Sequence, residues 1–239
     1  MRNFIEQAHP QWRDILSCAL DVMDRPYLDQ LQSEANWLPG IQSIFKAFSM
    51  PLSKTNYILM GESPYPRQQS ANGYAFWDNA VHSLWSPNGL SKDVNRATSL
   101  RNLIKMLLVA RGDLSSDVSQ AAIASLDKSN YLDSAEQLFA AFMHHGFLLL
   151  NASLVYIEGQ VPYHARMWQP FLYRVLEALS ASNSSIQLVL LGKIARQLQK
   201  ATLRPALVAE HPYNISFITN KAVVEFFNPL NLLAKGSTT

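Results

Sequence analysis

Four short clusters of polar and turn-forming residues hold the side chains able to do chemistry. They are Gly61-Glu62-Ser63-Pro64-Tyr65-Pro66, Asn151-Ala152-Ser153, Gly192-Lys193 and Glu210-His211-Pro212-Tyr213-Asn214. Carboxylates, hydroxyls, a carboxamide, an ammonium and an imidazole are all represented, a set suited to reading a polar ligand and moving a proton. Each cluster follows an apolar run of strand length: Tyr57–Met60, Phe147–Leu150, Leu188–Leu191 and Ala206–Ala209. Runs apolar throughout fit strands covered on both faces. Ligands of open parallel sheets bind outside the carboxyl ends of the strands, so the pattern predicts a binding site at four strand ends.

The elements that must position those clusters alternate with the strands. Helical periodicity is clearest over Trp12–Met23, Leu100–Ala110, Ser134–His144, Trp168–Leu179 and Ala195–Ala201. Gly112 and Gly146 follow two of these segments and read as helix stops. Alternation of strand and helix predicts βαβ units, a mostly parallel sheet and an α/β fold. The polar, Ala-rich stretch Ser115–Asn130 reads as a linker or as a cap and surface helix, and Gly236–Thr239 as a frayed tail.

Composition narrows the function classes. A chain of 239 residues suits one large domain or two small ones. Apolar residues make up 48% and charged residues 16%, enough apolar surface for a sizeable core and against disorder. The apolar runs are too short to cross a bilayer, and the start MRNFIEQAHPQW lacks a signal-peptide core. Cys18 is the sole cysteine, which excludes an internal disulfide, a four-cysteine zinc site and a four-cysteine iron–sulfur cluster. His144 and His145 are adjacent, point to different sides of a helix, and read as structural or surface residues. A net charge of +2 permits a nucleic-acid partner without requiring one. No GxxxxGK[ST], GxGxxG, GxSxG or HExxH motif occurs. The expectation is an intracellular, non-secreted protein without metal or cofactor.

Six segments in order, GESPYP, NGYAFWD, TSLRN, GFLLLNASL, LVLLGK and AEHPYNIS, resemble the family 1 uracil-DNA glycosylases, whose segments read GQDPYH, GLAFS, PSLRN, GVLLLNT, LLWG and HPSPLS. Trp12-Arg13-Asp14-Ile15-Leu16 and Phe45-Lys46-Ala47-Phe48 are also similar to family segments. The resemblance covers nearly the whole chain. It implies residues 1–239 as a single domain, a three-layer sandwich with a central four-stranded parallel sheet. It also implies base flipping and base excision repair, with uracil-containing DNA as partner, single- or double-stranded, and a monomer with no membrane contact.

Residue by residue, the resemblance implies the following roles. Phe76 stacks on the extruded uracil, a flat π-face against a flat base. Tyr65 crowds the C5 edge and excludes thymine's methyl, and Asn151 reads O4 and N3–H with one carboxamide. His211 donates to O2 as charge builds on the leaving base. Ile215 is the apolar wedge that enters the duplex, and Ser99, Lys193 and Ser216 lie at phosphate-contact positions.

The chain departs from the family at five places. Ser63 stands where the family has the aspartate that orients the attacking water, and a serine hydroxyl holds a water without charge. Glu62, at a position the family fills with glutamine, is the nearest carboxylate and a possible substitute. Pro66 replaces histidine, Tyr213 and Asn214 replace Ser-Pro, and the family's proline-rich loop is reduced to Pro39. Two readings stay open: a divergent, weak glycosylase, or a pseudoenzyme that binds DNA or a protein partner. A glycosylase tuned to another damaged base is a third.

Overall fold

A strand paired on both sides and covered on both faces has no room for polar side chains, and the four apolar runs meet that demand unequally. The computed structural model describes residues 1–34, 36–182, 185–194, 198 and 202–236. Its strands are β1 (Tyr57–Gly61), a two-stranded hairpin of β2 (Trp85–Ser86) and β3 (Gly89–Leu90), β4 (Phe147–Asn151), β5 (Gln187–Leu191) and β6 (Pro205–Ala209). β1, β4, β5 and β6 form one parallel sheet in the order β4-β1-β5-β6. Strand order therefore reverses at β1, the kind of switch point beside which open α/β sheets bind ligands. The helices are α1 (Arg13–Asp21), α2 (Arg25–Ser33), α3 (Lys92–Arg96), α4 (Thr98–Ala110), α5 (Gln120–Ala124), α6 (Ala135–His144), α7 (Val161–Ser182) and α8 (Lys221–Phe227).

The chain divides into two compact units. One comprises Met1–Ala75, Gly146–Leu190 and Ile194–Ala206; the other comprises Phe76–His145, Leu191–Lys193 and Leu207–Thr239. In the first, α1 packs on α7, and Trp12 meets Phe48 edge-on at 5.1 Å while its indole N–H donates to the Met50 carbonyl. Burying one such ring stabilises by about 4–6 kcal/mol by area, and the satisfied indole N–H removes the penalty that would offset it. In the second, α4 packs against the 3-10 turn Ile215–Thr219 and against α8, while Trp77 stacks on Phe139 at 5.5 Å.

Local chemistry explains the element ends. Ser134 accepts from the Gln137 amide and Gln137 reaches back to the Ser134 backbone, a capping box that starts α6 one residue into the expected segment. Gly112 and Gly146 adopt positive φ of 82° and 84°, as helix stops do. Within 115–130 the structure supplies a short helix, α5, capped by Ser119.

Three expectations change. The segment read as Trp168–Leu179 is the middle of α7, which begins at Val161 and carries Pro170 inside it. β6 is not buried throughout: Leu207 alone is buried and Val208 is exposed, on a strand at the sheet edge. β4 is an edge too, yet stays buried because the Ala75 amide runs beside it and donates to the Leu149 carbonyl. Helices α2, α3 and α8 were not expected; they are short and nucleated by caps such as Asp24, Ser91 and Asn220 rather than by long periodicity. Of the expected helix Ala195–Ala201 only Leu198 is among the described residues, and the tail beyond Gly236 lies outside them.

One buried titratable group sits away from the strand ends. His164 of α7 is 2% exposed, and its Nδ1 lies 2.8 Å from the Tyr27 hydroxyl of α2. Its Nε2 has no partner among the described residues. Burial pushes the imidazole below its ordinary pKa, opposed by the Glu34 carboxylate. The unfolded chain, titrating near ~6.5, therefore takes up a proton before the folded one does, and stability is lost as pH falls through and below that value. Thermal unfolding followed from about pH 7.5 to about pH 5 is expected to show a falling midpoint for the parent protein and a flatter profile for His164→Gln.

Candidate functional site

Parallel pairing sets Gly61, the last residue of β1, directly beside Asn151, the last residue of β4. Asn151 is 4% exposed. A Cβ on residue 61 would collide with the Asn151 Oδ1 and lie 2.9 Å from the Ala75 Cβ, so only glycine leaves the carboxamide its place. Past the strand ends the two chains stay tied: the Ala152 amide donates to the Gly61 carbonyl at 2.9 Å, and the Ser153 amide to the Glu62 carbonyl at 3.0 Å. The Glu62-Ser63-Pro64-Tyr65 loop is thus pinned by its first residues against the segment carrying Asn151. Along it the Glu62 side chain is exposed, Ser63 and Tyr65 are half-buried, and Pro64 is buried. All these residues belong to the first unit.

The second unit holds the other predicted residues. Phe76 is half-buried with φ of +63°, a left-handed backbone that a bulky residue adopts only under constraint. Its ring lies 5.9 Å from the His211 ring, centroid to centroid, with planes 25° apart. The Tyr213 amide donates to His211 Nδ1 at 3.1 Å. A backbone N–H can only donate, so Nδ1 is the unprotonated nitrogen, and in the neutral ring Nε2 carries the hydrogen. The neutral imidazole therefore carries its one N–H at Nε2.

The loop after His211 is held from behind. Asn102 of α4, 2% exposed, donates through Nδ2 to the Pro212 carbonyl at 2.7 Å and to the Tyr213 carbonyl at 3.4 Å. Gly192, with φ of +82°, donates to the Ala209 carbonyl, and a Cβ there would come within 2.8 Å of the His211 Cβ. Ser99 sits one turn before Asn102, half-buried in the first turn of α4, whose N-terminus has no side-chain cap. Lys193, Ile215 and Ser216 are exposed, and Ile215 and Ser216 open the 3-10 turn. Asn102 and the two glycines were not singled out from sequence. The TSLRN segment contained the asparagine, but its partner lies 110 residues away.

Comparison with known proteins follows from this geometry. Wild-type UNG of Nitratifractor salsuginis superposes with a TM-score of 0.91 at 41% identity, covering 97% of this chain and 94% of that one. The chain belongs to the uracil-DNA glycosylase family. A curated relative from Corynebacterium glutamicum, named uracil-DNA glycosylase, is 25% identical over 219 residues, covering 87% of this chain and 81% of the relative. The mimivirus uracil-DNA glycosylase shares the glycosylase fold with a TM-score of 0.59 at 17% identity, covering 87% of this chain and 71% of that one; another mimivirus structure holds that enzyme in complex with UGI. No protein-family model matches the chain. Membership places it among DNA-repair hydrolases.

The Gly192–His211 approach gives a direct check on the glycosylase-family loop. Gly192→Ala adds a Cβ at a left-handed position and against His211, and is expected to destabilise the protein by at least about 1 kcal/mol. That corresponds to a midpoint drop of about 2–4 °C in a thermal melt, accompanied by a shifted His211 ring signal in the NMR spectrum.

Proposed function

We propose that the chain is a slow uracil-DNA glycosylase. In this reading it acts as a monomer inside the cell, without metal or cofactor, on uracil in single- or double-stranded DNA. The observation that carries the reading is the fixed tautomer of His211, whose Nδ1 is already engaged by the Tyr213 amide. In this reading its Nε2–H donates to uracil O2 as the bond between base and sugar lengthens. Water attacks C1′, the C1′–N1 electron pair leaves with the base, and the water's surplus proton passes to solvent. A preorganised donor aimed at the developing anion favours the transition state over the ground state.

The remaining roles divide between recognition and grip. Asn151 reads O4 and N3–H, Tyr65 bars a C5 methyl, and Phe76 supplies the stacking face, each supported by its match to the family segment. Ile215, 79% exposed, serves as the wedge. Ser99, beside the uncapped amides of α4, takes a phosphate as helix N-termini do, with Lys193 and Ser216 contributing further backbone contacts.

Slowness follows from Ser63. A hydroxyl positions the attacking water but supplies no negative charge against the positive sugar, and losing one such preorganised group costs about 10²–10³ in rate. Glu62, next in the chain and exposed, is the only carboxylate of that loop and stands as its substitute. The same serine favours a second reading, in which turnover is lost and the fold binds uracil DNA or a protein partner.

Oligonucleotides carrying one deoxyuridine, single- and double-stranded, separate the two readings. The expected result is slow alkali-labile strand scission by the parent protein and a rate about 10²–10³ higher for Ser63→Asp. His211→Ala in that background should lose most of the gain. An inert parent with an active Ser63→Asp assigns the chain to the binding reading with its pocket intact. If both are inert and neither binds uracil DNA, the glycosylase reading fails.

A further inference from the structure

Among the described residues of α4, those that are buried are apolar except Asn102, which is 2% exposed. Asparagine is a poor helix former, and a carboxamide in an apolar setting costs free energy unless its polar atoms are paired. Here both ends are paired. Arg101 Nε donates to the Asn102 Oδ1 at 3.3 Å, and Arg101 Nη1 is itself tied to the Asn95 carbonyl at 3.1 Å. With its oxygen turned to the guanidinium, the carboxamide sends Nδ2 to the His211 loop. That nitrogen donates to the Pro212 carbonyl at 2.7 Å and more loosely to the Tyr213 carbonyl at 3.4 Å. All these residues lie in the second unit.

The Pro212 carbonyl and the Tyr213 N–H belong to one peptide group, and a peptide group is a rigid plane. Its oxygen is held by Asn102 Nδ2 at 2.7 Å, and its nitrogen donates to His211 Nδ1 at 3.1 Å. One plane therefore links a buried helix side chain to the ring nitrogen that decides the tautomer. Turning that plane so that its oxygen meets another donor would swing the N–H away from Nδ1. A donor on the carbonyl also polarises the N–H of the same group and strengthens it. The Asn214 amide closes the turn onto the His211 carbonyl at 2.9 Å, a bond that shapes the turn without touching the ring.

We propose that Asn102 is a positioning residue for the reaction: through the Pro212–Tyr213 peptide plane it keeps the His211 hydrogen on Nε2. This rests on the glycosylase reading of His211 and deepens it by assigning what holds the imidazole ready. Without a donor at residue 102 the plane is free to turn, and Nδ1 loses its partner. The two neutral tautomers then become comparable, and part of the population carries its hydrogen on the wrong nitrogen. The loss falls on rate rather than on base recognition, because the donor is needed only as charge develops on the base.

Isotope-labelled histidine reports the tautomer directly by NMR, without DNA, at about pH 8 where an imidazole is ordinarily neutral; the His211 signals are those that His211→Ala removes. The parent protein is expected to show one tautomer, with hydrogen on Nε2. Asn102→Ala should show a mixture, and so should Asn102→Asp, which keeps the shape without the N–H donors. Asn228→Ala is the control: Asn228 donates to the Ala110 carbonyl at the far end of α4, so its loss loosens the same helix and should leave the tautomer unchanged. In the Ser63→Asp background, both Asn102 variants should cleave a deoxyuridine oligonucleotide about tenfold or more slowly, with unchanged affinity for the uncleavable 2′-fluoro-2′-deoxyuridine form. Asn228→Ala should keep the background rate. A pure Nε2–H tautomer in both Asn102 variants, an equal shift in Asn228→Ala, or a changed tautomer at an unchanged rate overturns the inference alone. A Ser63→Asp protein without turnover overturns the glycosylase reading, and the tautomer still decides whether Asn102 holds the ring.

Discussion

The pairing of Gly61 with Asn151 is the constraint on which the rest of the first unit depends. Side chains alternate along a strand, so a slip of one residue between β1 and β4 would turn Asn151 to the opposite face. The register is secured at its end by the Ala152 and Ser153 amides, which continue the pairing beyond the sheet and fix where the Ser63 loop begins. The absence of a side chain at Gly61 lets the Asn151 carboxamide occupy its buried place.

The second unit solves a different problem, holding an imidazole in one protonation pattern on a loop. Here the backbone does the holding: the Tyr213 amide selects the tautomer, Gly192 allows close approach, and Asn102 ties the loop to α4. None of these contacts requires a charged side chain. That fits a protein whose charged fraction is only 16%.

Much of the scaffold was legible in the sequence because it rests on short-range patterns. Apolar runs marked β1, β4 and β5, and α6 announced itself through Ser134 and Gln137 at its start and Gly146 after its end. The length of α7 was hidden because its helical periodicity is clear only from Trp168 onward, whereas the helix begins at Val161. The exposure of Val208 depends on β6 being an edge strand, which no local window reports. Of the candidate site, the order of the family segments offered residue identities, while the left-handed backbone of Phe76, the tautomer of His211 and the reach of Asn102 were not legible. Each depends on residues far apart in the chain.

The backbone at Phe76 restricts which substitutions this site can accept over time. Glycine is the residue that adopts a φ of +63° at no steric cost, yet it would remove the ring that faces His211. Other aromatics would bear the same backbone strain as phenylalanine and keep a face, whereas β-branched residues would bear more and keep none. Drift at this position is therefore channelled toward tyrosine or tryptophan, and an escape to a small residue amounts to abandoning the ring altogether.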